Sequence, residues 1–381
     1  MAVQQILPGQ PFGEELGVIS QVLMVAADIS RYVLRIVKNP NSAKSEVDFA
    51  VLKDDATSVT IADLAIQAVI LSVIRNCFPD QHIIAEESAD QLRADPKLLS
   101  TVQDIAITCA QRNPWTWGNG AALLRDPRYL MDLLDLAAGR RKQTDVNPAS
   151  TWVVDPIDGT AAFLRGEQFA INVALLDKNH QQIFGAVACP LLSAERAAEY
   201  NRVALTDATI DPESAGSLLY AVRGQGAFLK PLYATTDSAQ RLFPFFNFSP
   251  ASNSRIKPQP RSCTSTTVTS GKNDLHKKIA KEISAVHPHS DLTSWVLRWV
   301  SLALKKSTYT VWIYDKPNRY AKIWDHAGAM LLFEEVGGVI TDLDGKAIDF
   351  STGRLLNANK GFVAAPSWAH KDVLEAVRKV I

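Results

Sequence analysis

Sulfur is scarce in this chain, and neither sign of charge is in excess. Four cysteines in 381 residues, Cys77, Cys109, Cys189 and Cys263, stand far apart with no CxxC pair. A chain this long needs no disulfide staples, so the spacing fits reduced thiols in an intracellular compartment. Forty basic residues against forty acidic ones leave a formal net charge of zero. No global field therefore draws a nucleic acid polymer or an anionic membrane. No Lys or Arg precedes Arg31, whereas Glu14, Glu15 and Asp28 do. That suits neither the basic start of a signal peptide nor an Arg-rich transit peptide. Apolar stretches such as Ile183–Leu192 fall short of the roughly 20 residues that a membrane-spanning helix needs. The expectation is a cytoplasmic protein with no membrane partner. Internal repeats are also missing.

What is present is ordinary for a globular protein: 47% hydrophobic and 21% charged residues. The length suits two domains or one large layered unit. Leu16, Ile19, Leu23, Ala26, Ala27 and Val33 recur at helical spacing between Glu14 and Val37, and Leu64, Ala68, Leu71 and Ile74 do so between Asp63 and Arg75. Short apolar runs at His82–Ala85, Thr151–Val154, Phe169–Leu176, Gln182–Ala188 and Leu218–Val222 predict a mainly antiparallel sheet. Residues 91–147 read as a helix-leaning insertion or cap. Pro, Ser, Thr and Asn crowd Pro244–Ser270, which places a domain boundary there. Helices are then expected at His276–Val286, Ser294–Lys305 and Asp325–Val336, with strands at Tyr309–Tyr314 and before Asp344-Gly345. The fold class is α/β: an α+β domain over 1–245 and an α/β domain over 246–381.

The stretch Trp152-Val153-Val154-Asp155-Pro156-Ile157-Asp158-Gly159-Thr160 carries the most chemistry. A strand runs into two carboxylates around a proline, which blocks both helix and ladder. The turn stays irregular, both acids can face one side, and the Ile157 carbonyl is left free to meet a cation. Mg²⁺ takes such all-oxygen sets, together with water and substrate phosphate. Taken alone, the string is equally an Asx turn closing a strand. Thr60 and Asp63 alone make a helix capping box, and Glu86-Glu87 alone a solvated loop. Asp325 before His326 and Ala327 reads as one more helix start. His326 is left out of any metal shell, because Mg²⁺ prefers oxygen ligands. Among Trp295, Trp299 and Trp312, core packing is the reading for at least two.

Taken together and in order, Lys53-Asp54 with Thr60–Asp63, Ala85–Ser88, Asp155–Thr160 and Trp324–Ala327 with Glu335–Gly338 resemble the lithium-sensitive, Mg²⁺-dependent phosphatase superfamily of inositol monophosphatase. Phe163–Ala170, Ala221–Phe228 and Lys322–Ala327 resemble its 3'(2'),5'-bisphosphate nucleotidase branch. The resemblance covers most of residues 50–365. It implies a layered αβαβα sugar-phosphatase-like fold and a cofactor of Mg²⁺, two or three ions per site. It also implies removal of the 3'-phosphate of adenosine 3',5'-bisphosphate to give AMP, with possible action on PAPS, and so a place in sulfur metabolism. The partner is then a small anionic phosphorylated metabolite.

Carried over by resemblance, Glu86, Asp155 and the Ile157 carbonyl match the ligands of one metal, and Asp155, Asp158 and Asp325 those of a second. Asp63 and Thr160 match the pair that orients the attacking water, with Asp63 as general base. Glu87 supports Glu86 from behind. Gly159, Thr160, Lys272, Ser294, Arg298 and Asp325 match substrate-binding positions. Two cations about 3.5–4 Å apart can polarise phosphoryl oxygens and stabilise the leaving alkoxide. The chain departs from the nucleotidase pattern at Ala161-Ala162, where Lys-Gly is usual, and at Trp312, where an arginine is usual. Two alternatives follow: a phosphatase of inositol phosphates or another small bisphosphate, and a non-catalytic, metal-stabilised binding protein.

Overall fold

The structure is a computed structural model that describes residues 12–38, 50–52, 58–111, 123–141, 150–199, 203–213, 215–235, 238–245, 258–267, 273–314 and 319–381. The chain opens with α1 (Gly13–Lys38), the hairpin of β1 (Ala50–Leu52) and β2 (Ser58–Thr60), and α2 (Ile61–Cys77). β3 (His82–Ala85), α3 (Asp90–Ala94), α4 (Pro96–Gln111), α5 (Pro127–Ala137) and β4 (Ser150–Asp158) follow. Next come α6 (Thr160–Arg165), β5 (Ala170–Asp177), β6 (Gln182–Cys189), α7 (Ala194–Ala198), β7 (Ser217–Val222), β8 (Gly226–Pro231) and β9 (Gln240–Arg241). The second half holds β10 (Arg261–Thr264), α8 (Asn273–Glu282), β11 (Val286–Asp291), α9 (Trp295–Ala303) and β12 (Thr310–Trp312). It ends with a 3-10 turn at Ile323–Asp325, α10 (Ala327–Glu335), β13 (Gly338–Thr341), β14 (Phe362–Pro366) and α11 (Ser367–Val380).

Strands β3 to β9 form a seven-stranded sheet in sequence order. Only the edge pair β3 and β4 is parallel; the rest is antiparallel, as the hairpin spacing predicts. Period-two alternation divides its faces. Trp152, Val154, Ile171, Val173 and Phe184 join the core under α1 and α2. Val153, Ala170, Ala174, Val187 and Leu219 join a second core with α9 and α10. That second core is closed by Phe362 and Ala364 of β14, in the sheet β12-β14-β13. Val363 and Ala365, on the opposite face of β14, meet Val373 and Val377 of α11 and Ile279 of α8. The layers are therefore αβαβα.

Three expectations need comment. By length and composition, Gly13–Arg35 of α1 is long and apolar enough to cross a membrane, so the expectation of no such stretch is corrected. Scattered polar residues such as Glu14, Glu15 and Asp28 interrupt its apolar runs, none of which reaches that length by itself. Of that window 56% is buried inside the protein, with Ile19, Leu23, Ala26 and Val33 in the α1/α2 core. The helix expected over His276–Val286 stops at Glu282. Ser284 takes φ +52°, and Val286–Asp291 becomes β11, parallel to β10, with an alternation of burial that polar residues conceal. The proposed boundary falls beside residues 246–257, which lie outside the described residues.

The middle helical layer approaches the large sheet closely at one point. A Cβ at Gly328 would sit 2.3 Å from Asn172 Oδ1 and 2.6 Å from the Val173 carbonyl oxygen. Backbone would have to move to admit it. Gly328→Ala is expected to cost roughly 1–3 kcal/mol, the range for overpacking a core. Urea melts of both proteins would measure it, and equal midpoints would refute the close approach.

Candidate active site

Parallel pairing of β3 and β4 ends both strands at the same edge. Ala85 stands opposite Val154, so Glu86, just past the end of β3, comes beside Asp155 of β4. Pro156 then breaks the regular pairing of β4 with β5: the register shifts between Asp155 and Asp158. Gly159 follows with φ +93°, in the left-handed region that favours glycine, and a Cβ there would meet the Ser294 Cβ at 3.1 Å. The turn thus brings Asp158 under the start of α9. Its Oδ2 accepts from Ser294 Oγ at 2.6 Å and from Val296 N at 2.5 Å.

Asp325 arrives from the second half on its 3-10 turn. Asn172, the β5 residue paired with Asp155, donates through Nδ2 to the Trp324 carbonyl at 2.6 Å. This bond places Asp325 beside Asp155 and Asp158. One carboxylate oxygen from each of the three lies within 4.8 Å of the others. Asp63, buried in the first turn of α2, adds its charge to the field at Asp155, as does Glu86. Four sequence elements therefore bring five acids together.

Electrostatics shows what this arrangement lacks. Asp155 is 1% exposed, and its Oδ1 has no hydrogen-bond donor among the described residues. Burial pushes its carboxyl well above the usual range, and the charges of Glu86, Asp158, Asp325 and Asp63 push it further. Asp158 is raised to about 6 by burial, with the Ser294 and Val296 bonds opposing the rise. Like charges packed this closely need a counter-charge, and the donors are all oxygen. The cluster fits a hard divalent cation by both tests.

The remaining candidates fall around this centre. Thr160 Oγ1 donates to the Ile157 carbonyl at 3.2 Å, which leaves that oxygen a second lone pair. Glu87 is buried, and its backbone N–H and carbonyl are both bonded to the Gln67 side chain at 2.8 Å. Ser294 caps α9 and accepts from Leu297 N at 2.9 Å while serving Asp158. Arg298 is buried; its Nε donates to the Leu292 carbonyl at 2.8 Å and its Nη2 to that of Thr293 at 3.3 Å. The guanidinium lies 4.1 Å from the Trp295 ring centre, and Trp295 stacks on Trp312 at 4.7 Å. His326 is a hydrogen-bonded core residue: Trp299 Nε1 donates to its Nδ1 at 3.0 Å. Lys272 lies outside the described residues, as do Lys53 and Asp54.

Sequence reasoning did not reach Asn172, Gln67 or Arg354. The first two left a signal, a polar side chain in the middle of an apolar periodic segment. Arg354, in a loop, left none. Within the insertion, α4 and α5 extend the first helical layer, and Asp135 of α5 accepts from Ala89 N at 3.0 Å, just beyond the Glu86-Glu87 bend.

Fold and cluster together define a layered α/β protein with an acidic centre of the metal-binding kind. A family model described as the inositol monophosphatase family matches residues 18–381, and the chain belongs to that family. A 3'(2'),5'-bisphosphate nucleotidase of Emericella nidulans is 32% identical over 338 residues, covering 87% of this chain and 90% of the relative. That of Schizosaccharomyces pombe is 29% identical over 366 residues, covering 94% and 95%. The solved extragenic suppressor protein suhB from Bartonella henselae matches at TM-score 0.57 and 17% identity, covering 97% of this chain and 100% of that one. At that identity the likeness speaks for the fold.

Proposed function

We propose that this chain is a Mg²⁺-dependent phosphoric monoester hydrolase that removes the 3'-phosphate of adenosine 3',5'-bisphosphate to give AMP, and also accepts PAPS. One observation carries the chemistry: carboxylate oxygens of Asp155 and Asp158 of β4 and of Asp325 on the 3-10 turn of the second half converge within 4.8 Å. The nucleotidase names of relatives that match most of the chain support the substrate.

Glu86, Asp155 and the Ile157 carbonyl would hold one cation; Asp155, Asp158 and Asp325 a second. A third ion per site is compatible with the five acids. Bound Mg²⁺ would neutralise phosphoryl oxygens and lower the pKa of water. Asp63, with the Thr160 hydroxyl, orients the attacking water and accepts its proton. The water oxygen bonds to phosphorus as the P–O bond to the 3' oxygen breaks, and that oxygen leaves as a hydroxyl by taking a proton from solvent water. Gly159 and Thr160 would meet the phosphate at the turn after β4. Ser294 and Arg298 shape the substrate side by fixing the start of α9, and Lys272 would reach in from the loop before α8. Lithium inhibition, a cytoplasmic location and a place in sulfur metabolism belong to the same reading. The packing of α1 into the core fits a helix that serves the protein interior.

A substrate panel tests it: phosphate release with Mg²⁺ from adenosine 3',5'-bisphosphate, inositol 1-phosphate, inositol 1,4-bisphosphate and fructose 1,6-bisphosphate, each with and without lithium. The expected result is preference for the adenosine compound and loss of release with lithium. Preference for an inositol phosphate would overturn the substrate assignment and leave the chemistry standing.

A further inference from the structure

β3 is the edge of the seven-stranded sheet, so the carbonyls at its end have strand partners on one side only. Arg354 serves them from the other side. Its Nη1 donates to the Ala85 carbonyl at 2.6 Å and to the Ala137 carbonyl at 3.1 Å, and its Nη2 donates to the Glu86 carbonyl at 3.1 Å. The same guanidinium lies 4.4 Å from the ring centre of Trp324, the neighbour of Asp325. The Arg354 backbone carbonyl accepts from Ile323 N at 3.0 Å, at the start of the turn that carries Asp325. One side chain thus fastens the backbone of Glu86, the end of α5 and the face of Trp324 together.

We propose that Arg354 is a positioning residue that fixes Glu86 relative to Asp325 and so sets how tightly the acid cluster holds a divalent cation. The inference rests on the reading of that cluster as a cation site. Glu86 stands on an irregular bend among like charges, which would splay it outward unless its backbone were held. A planar fork can bond three carbonyls while stacking on an indole; an ammonium cannot do both. Groups that orient metal ligands from behind change affinity or activity by about 10- to 100-fold when lost.

The test uses the full chain with Arg354→Met and Arg354→Lys. Melting temperature is followed as Mg²⁺ is titrated into chelated protein, and phosphate release from adenosine 3',5'-bisphosphate is followed in parallel. In Arg354→Met the Mg²⁺ concentration at half the melting shift should rise about 10- to 100-fold. Turnover at saturating Mg²⁺ should stay near that of the wild type, and Arg354→Lys should fall between the two. A lower melting temperature in chelator with an unchanged Mg²⁺ midpoint would overturn the proposal and leave Arg354 a structural residue. Should Arg354→Met not fold, an unchanged midpoint in Arg354→Lys overturns it equally. The melting titration needs no turnover. A wild type that shifts with Mg²⁺ but releases no phosphate would refute the function and leave this inference standing. A wild type that does not shift refutes both.

Discussion

Asp155→Asn is expected to abolish turnover while raising the melting temperature of the chelated protein. Asp155 is the acid shared by both proposed cation positions, and it is buried with one oxygen that no group among the described residues serves. Loss of a single preorganised electrostatic contact in an active site costs roughly 10²–10³ in turnover. A shared carboxylate should cost at least that much. The opposite sign for stability follows from the same geometry. In the metal-free protein this carboxyl is strained by burial and by four neighbouring acids. Asparagine keeps its shape and removes the charge, so the cluster relaxes. Activity and function-linked strain trade against stability at such sites. Phosphate release and thermal melts in chelator check both halves. A variant as active as the wild type would rule out the assignment of Asp155, and a lower chelated melting temperature would rule out the strain.

Without divalent cations, stability should decline as pH rises from about 4 to beyond 6. The sign follows from the direction of the shifts. Asp158 moves from an ordinary 3.8 up to about 6, and Asp155 moves upward as well. Between its unfolded and folded values each group holds more protons in the native protein than in the unfolded chain, so raising the pH favours unfolding. Each unit of displacement corresponds to about 1.4 kcal/mol. A bound divalent cation supplies the missing positive charge and removes the reason for the shift. Mg²⁺ should therefore raise the melting temperature most at pH 8 and little at pH 5. Melts across that range with chelator and with Mg²⁺ measure the difference. Coincident curves at pH 8 would contradict a cation site in this cluster.

Much of the first half was legible because its signals were local. The apolar runs Phe169–Leu176 and Gln182–Ala188 survive as β5 and β6, and the helical spacing of Ile19, Leu23 and Ala26 survives in α1. β11 was not legible, since His287, Pro288 and His289 carry no apolar rhythm; its pairing with β10 depends on partners far along the chain. The terminal unit of β14 and α11 also went unread. Its five-residue strand is short, and its partners β12 and β13 are brought to it only by the fold.

Within the site, the family resemblance singles out Asp155, Asp158 and Asp325 together, and the fold brings their oxygens together. The supports behind them were hidden for a different reason. Asn172 acts across the sheet on Trp324, and Arg354 acts across the two halves on Glu86, so neither lies near its client in sequence. Ser294 and Arg298 were read as substrate contacts. Their bonds to Asp158 and to the Leu292 and Thr293 carbonyls also tie them to the start of α9.

The central claim is that these acids form a cation-dependent phosphomonoesterase centre. The most direct measurement is phosphate release from adenosine 3',5'-bisphosphate by chelated protein, before and after Mg²⁺ is returned. Release should be at background in chelator and recover fully with Mg²⁺. Equal release in both, or none in either, would contradict it.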